Sequence, residues 1–328
     1  MQRTLTAAAV AASLMLAACG GDDDSADAPT DSDGAGNAES GELTPVNVGV
    51  IPIVDVAPIY LGIEQGFFAE HGLDVTPVSA QGGAAIVPGV TSGEFQFGFS
   101  NVTSLLIAAA QGLELQMVAP GNSSTGEPGE DFAAIVTQPD SGISSAADLE
   151  GRTVAANTLN NIVDSTTREV VRLDGGDPSA VEFVEIAFPD MPAALANGQV
   201  DAAFVLEPFL SMTLQDGAVP VASPYAETDP DLMIAAYFTS AQYAAEEPET
   251  VDAFVSAMQE SLAYAEENPE EAREMLGTYT EIDAELREML VLPRFEPEIN
   301  QDTVQLLADL AEGDGLLDQP VDVSELIR

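Results

Sequence analysis

Polar side chains able to hold a small molecule fall just after the short apolar runs of this chain. Asp55 follows the run at 46–51, Gly82 and Gly83 follow 75–78, and Ser100, Asn101 and Thr103 follow 95–99. Asn122, Ser123 and Ser124 follow 115–119, while Asn157, Thr158, Asn160 and Asn161 follow 153–156. Asp190 and Glu207 come after the runs ending at Ile186 and Val205. Amides and hydroxyls both donate and accept, so such a set suits non-covalent capture of a polar molecule. Backbone N–H groups at helix starts add sites for an oxyanion. The same residue types cap helices and close turns, and each carries that second expectation. The candidate ligand-binding residues are Asp55, Gly83, Ser100, Asn101, Asn122, Asn157, Thr158, Asn161, Asp190 and Glu207, with the group 157–161 the most unusual.

Bond-making chemistry is poorly supplied. The chain has no lysine, which excludes a lysine Schiff base. His71 is the only histidine and Cys19 the only cysteine, and no metal-ligand spacing is present. His71 follows a helical pattern, where a polar group is simply favourable, and it is expected far from the binding loops. No catalytic residue, metal or cofactor is expected. None of the arginines lies on the binding loops: Arg152 precedes its strand, and Arg168 and Arg172 sit inside a helix. Asp55, Asp190 and Glu207 make the site negative, which favours a neutral or cationic ligand over a sulfonate or nitrate.

These loops must be positioned by alternating strands and helices. Strands are expected at 46–51, 75–78, 95–99 and 115–119, with helices at 59–70, 83–90 and 105–110 between them. The pattern restarts with strands at 133–136, 153–156, 181–186, 202–205 and 232–238. Helices at 163–173, 190–196 and 208–214 separate them, and Ser145 to Asp148 form a capping box. After Tyr243 only amphipathic helices remain, with Val251, Phe254, Met258 and Leu262 on one face. The expected fold is α/β, with two mainly parallel sheets flanked by helices and a helical C-terminal cover. Lobe 1 is expected over 43–137 plus 240–328 and lobe 2 over 138–239, with strands near Ile135 and Ile234 as the crossings. A cleft between such lobes suits a small ligand, and carboxyl ends of parallel strands point toward it.

The N-terminus is of another kind. Residues 1–18 read as a signal peptide, too short to span a bilayer as a mature helix. The sequence Leu16-Ala17-Ala18-Cys19-Gly20 resembles the bacterial lipobox, which implies lipidation of Cys19 and membrane anchoring through lipid alone. Residues 19–42 are acidic and free of aromatics, as expected of a disordered tether. The whole chain carries 56 acidic residues against 8 basic ones. A surface so rich in carboxylate suits strong salt, where its self-repulsion is screened. Nucleic-acid binding is excluded for want of a basic patch. A monomer is expected.

Residues 57–75, Ala-Pro-Ile-Tyr-Leu-Gly-Ile-Glu-Gln-Gly-Phe-Phe-Ala-Glu-His-Gly-Leu-Asp-Val, closely resemble a motif of the sulfonate/nitrate/taurine and thiamine-pyrimidine-precursor binding-protein family. Three further motifs follow in the family's order. They are Ser92-Gly93-Glu94-Phe95-Gln96-Phe97-Gly98, residues 148–155, and residues 193–202 followed by Glu207-Pro208-Phe209. Gln96 stands where the family usually has aspartate. The resemblance covers about 46–245. It implies a two-lobed type II periplasmic-binding-protein fold and a solute receptor working with an ABC permease and ATPase outside the membrane. It also implies a pyrimidine-type vitamin precursor or a sulfonate, taurine or nitrate as ligand. An extracytoplasmic sensor and a pyrimidine-synthase-like enzyme are the alternatives, the latter disfavoured by the missing lysine.

Overall fold

The computed structural model describes residues 42–80 and 82–328. The expected signal peptide, Cys19 and all of the expected tether except Glu42 lie outside the described residues. The chain runs β1 (Thr44–Val50), α1 (Ala57–Gln65), α2 (Phe67–Glu70), β2 (Leu73–Ser79), α3 (Gly83–Thr91), β3 (Phe97–Asn101), α4 (Val102–Ala110) and β4 (Leu115–Ser123). It continues with β5 (Ala133–Thr137), β6 (Thr153–Ala156), α5 (Ile162–Leu173), β7 (Glu182–Glu185), α6 (Met191–Ala196), β8 (Ala202–Leu206), α7 (Phe209–Gln215), β9 (Val219–Ala222) and α8 (Pro224–Thr228). The last stretch is β10 (Met233–Ser240), α9 (Ala241–Glu246), α10 (Pro248–Glu267), α11 (Pro269–Tyr279), α12 (Ala284–Met289), α13 (Gln301–Gly313) and α14 (Val323–Leu326).

Two five-stranded sheets result, ordered β2-β1-β3-β10-β4 and β7-β6-β8-β5-β9. In the first, β1 pairs in parallel with β2 and β3, while β10 runs antiparallel to β3 and β4. The second repeats the scheme: β6 is parallel to β7 and β8, and β5 is antiparallel to β8 and β9. This is the expected two-lobed α/β fold. The expected boundaries need correction, because β5 belongs to the second sheet and β10 to the first. The crossings therefore precede those strands, at 124–132 and 223–232. An apolar run shows that a strand is buried, but not which sheet it joins.

Local chemistry explains most element ends. Pro58 occupies the first turn of α1, where its missing N–H costs nothing. Gly66, at φ 87°, then ends α1 and splits the single helix expected over 59–70 into α1 and α2. The capping box at Ser145 and Asp148 is present and opens one 3-10 turn. Asp201 accepts from the Thr153 N–H at 2.9 Å. His71 lies beside Glu260 at 3.0 Å, on α10.

The C-terminal helices pack on the first lobe. Phe97 of β3 and Phe254 of α10 are buried and stack at 3.8 Å. Gly62 lets α1 lie directly on α10, since a Cβ there would sit 1.8 Å from Ser261 Oγ. No helix among the described residues is long and apolar enough to cross a membrane.

Candidate functional site between the lobes

The strand ends of the two lobes converge where the sequence places its polar residues. Asp55 lies in a 3-10 turn after β1 and is 2 % exposed. Asn122 Nδ2 donates to Asp55 Oδ1 at 3.0 Å. Neither Asp55 Oδ2 nor Asn122 Oδ1 has a protein partner, although both atoms are buried. Buried Ser100 Oγ, Thr103 Oγ1 and the Tyr237 hydroxyl are likewise unpartnered. Sheet register brings several of these together. Ala236 of β10 pairs with Ser100 on one side, and its neighbour Ala235 pairs with Asn122 on the other.

Burial disfavours the charged form of Asp55 and pushes its pKa up to about 7, against the lowering effect of bonds from its own backbone and from Asn122. Tyr237 is pushed well above the ordinary phenol value, first by burial and then by the nearby Tyr60 and Asp55. No arginine is paired with Asp55 among the described residues. Aromatic rings stand beside this acidic centre. Tyr60 and Tyr279 stack at 4.1 Å with 9° between their planes, and the Tyr279 hydroxyl donates to the Ile53 carbonyl at 3.0 Å.

Gly83 opens α3 against Ser100, with room for no side chain: a Cβ would lie 2.0 Å from Ser100 Oγ. Asn101 is an N-cap, accepting from the Ser104 N–H at 2.9 Å. Lobe 2 presents Asn157 and Thr158, both half-buried. Thr158 meets Gly82 of lobe 1, so the two polar segments face one another. Asn161 caps α5 by accepting from the Val163 N–H at 2.9 Å, and its Nδ2 donates to Asn157 Oδ1 at 3.0 Å. Asn161 thus orients Asn157, and its own acceptor is committed to the helix.

Two expected members stand apart. Asp190 is exposed and has no side-chain hydrogen bond among the described residues. Glu207 is 1 % exposed, but its carboxylate faces its own helix, accepting from Ser211 Oγ at 2.7 Å and the Ser211 N–H at 3.0 Å. It also ties the lobes, because the Val291 N–H donates to Glu207 Oε1 and the Val54 N–H donates to its carbonyl, each at 3.4 Å.

Tyr60, Tyr237 and Tyr279 were not among the sequence candidates. Tyr237 hides within an apolar strand pattern, and Tyr279 ends a cover helix about 220 residues from Asp55. Tyr60 stands within the first family motif, the one signal that pointed to it.

Residues 53–272 match the family model described as NMT1/THI5 like. The formylaminopyrimidine-binding protein of Halalkalibacterium halodurans is 24% identical over 67% of this chain and 65% of its own length, just under two thirds of that relative. The putative aliphatic sulfonates-binding protein of Bacillus subtilis is 21% identical over 97% of this chain and 92% of its own length. Among solved structures, the alkanesulfonate-binding protein SsuA of Xanthomonas axonopodis pv. citri, bound to MOPS, superposes with a TM-score of 0.73. That likeness covers 88% of this chain and 99% of the other at 18% identity.

Proposed function

Because the chain belongs to the NMT1/THI5-like family, we propose that it is the extracytoplasmic solute-binding component of an ABC importer. It captures a small polar molecule between its lobes and presents the closed form to a membrane permease driven by an ATPase. Lipid on Cys19 holds it at the membrane. No bond is made or broken in this cycle; the ligand acts through its preference for the closed lobes.

The ligand is a neutral or cationic heterocycle of the pyrimidine-precursor kind. One observation carries this choice: Asp55 Oδ2 is a buried acceptor with neither a donor nor a cation against it. An unmatched buried acceptor is costly, and a ligand N–H or amidinium edge would satisfy it together with Asn122 Oδ1. A planar ring also suits the stacked Tyr60 and Tyr279 close by. Ser100, Thr103, Asn157 and Thr158 complete the polar lining, and Gly83 lets the ligand approach the backbone. Asn101, Asn161 and Glu207 position the site instead of touching the ligand.

The sulfonate reading rests on a different observation. The Ser100, Thr103 and Tyr237 hydroxyls can all donate, and one relative named for aliphatic sulfonates is similar over 97% of the chain. Calorimetric titration with a formylaminopyrimidine, taurine and an alkanesulfonate separates the two. Tight pyrimidine binding with none to the sulfonates is expected. The reverse pattern would move the assignment to the anionic class, and binding of none of these would remove the ligand assignment. Growth loss on one nutrient after gene deletion distinguishes import from sensing.

A further inference from the structure

Closing this protein brings two acidic bodies together. Residues 133–222 carry thirteen carboxylates against three arginines, and the remainder of the globular part carries thirty-five against four. Like-charged bodies repel over distances comparable to the Debye length, about 10 Å at 0.1 M salt. Something must oppose that repulsion where the lobes meet.

One ion pair joins the lobes among the described residues. Arg172, in the last turn of α5 in lobe 2, places Nη2 at 2.5 Å from Asp314 Oδ1 on the first lobe. The other pairs stay within one lobe or at the crossings: His71 with Glu260, Arg152 with Asp201, Arg328 with Asp252, and Arg294 with Asp231 and Glu296. Asp314 caps the C-terminal end of α13, where a carboxylate meets the negative end of the helix dipole. Its side chain is only 6% exposed and its Oδ2 is unpartnered. Such a carboxylate is poorly placed unless a cation faces it, and here the cation comes from the opposite lobe. Arg172 also pairs with Glu169 on its own helix, which holds the guanidinium toward the seam. α5 packs on α4 and α13 along this flank.

We infer that Arg172 and Asp314 form an electrostatic latch that holds the lobes closed against their mutual repulsion. The latch acts without ligand, so it stands whether or not the pyrimidine assignment does. It makes the closed population depend chiefly on Arg172, the bonded partner, with Arg168 as a second lobe 2 cation acting on Asp314, in a chain with only eight basic residues.

The test is a spin-label distance measurement on the full chain carrying Cys19→Ser, with labels at Gln111→Cys in lobe 1 and Glu182→Cys in lobe 2, at about 0.1 M KCl. Unliganded protein is expected to show a substantial short-distance, closed population. Arg172→Gln should lower the closed-to-open ratio by roughly three- to tenfold, between the values for exposed and buried pairs. Arg152→Gln makes the same charge change within lobe 2 and should leave the ratio unchanged. Adding Asp314→Asn to Arg172→Gln should open the lobes no further. Equal effects of the two arginine variants would reduce the latch to net charge and overturn it. An unliganded wild type found only at the long distance, or an unchanged Arg172→Gln, would overturn it as well.

Discussion

Gly82 of lobe 1 approaches Thr158 of lobe 2 so closely that a Cβ on the glycine would lie 2.9 Å from Thr158 Oγ1 and 3.7 Å from Asn157 Nδ2. Gly82 has extended backbone, with φ 179°, so a larger residue meets no torsional strain and only the opposite lobe. Gly82→Val is therefore expected to weaken ligand binding at least tenfold, since 1.4 kcal/mol of hindered closure suffices for that factor, roughly. The melting temperature should hardly move. Calorimetry with a formylaminopyrimidine, beside a thermal scan, checks both halves. Unaltered affinity would mean that the lobes do not close on this contact.

Ligand charge and Asp55 ionisation are coupled, and the sign separates the two ligand classes. With its pKa raised to about 7, Asp55 is largely a carboxylate at pH 8 and a neutral acid at pH 5.5. A ligand that donates to Asp55 should bind more tightly as pH rises from 5.5 to 8. An anion that needs a proton on Asp55 should bind more weakly over that range. Asp55→Asn should flatten either profile, measured by titration calorimetry at several pH values.

The same group makes a stability prediction. Its folded pKa exceeds the unfolded one, so the folded state holds the proton more firmly and this contribution to stability is lost as pH rises from about 4 through 7. Above 7 the cost is fully present. Asp55→Asn does not titrate, so its stability relative to wild type should improve from pH 4 to pH 8 by up to roughly 4 kcal/mol. Urea unfolding of the unliganded protein at both pH values reads the difference. A constant gap would show that Asp55 ionises as it does in water.

Asp131 should govern the crossings. It accepts from Ser124 Oγ at 2.7 Å, the Phe132 N–H at 2.9 Å, and the N–H groups of Thr125 and Ala226 at 3.1 Å each. The first three donors lie in the 124–132 crossing and Ala226 in the 223–232 crossing, so one carboxylate joins both. Asp131→Asn replaces one acceptor oxygen with an amide and is expected to cost about 2–4 kcal/mol, because buried donors lose their charged partner. Denaturant unfolding would show it.

Core substitutions provide a scale for these effects. Phe254 stacks on Phe97 and also contacts the rings of Phe68 and Tyr237. Phe254→Ala should destabilise by about 3–5 kcal/mol. Loss of much less would mean that α10 can part from the first sheet without disturbing it.

The pattern of residues by itself determined the fold class of this protein. Apolar runs separated by glycine and capping residues dictate strands and helices locally, which is why the capping box at Ser145 and Asp148 was legible. The missing lysine and the scarcity of arginine also needed no coordinates. Tertiary structure decided what each polar residue is free to do. Asn101 and Asn161 have the same chemistry as Asn122, yet each spends its acceptor on the helix it starts, whereas Asn122 is held inside β4 and turned onto Asp55. Glu207 and Asp190 differ from Asp55 in the same way: one carboxylate is bonded to its own helix, one is in water, and one is buried and unmatched. Sequence patterns report short-range backbone preference, but burial and pairing arise from residues far apart in the chain. Tyr279 beside Tyr60, β10 between β3 and β4, and Arg172 against Asp314 exist only once the two sheets have folded.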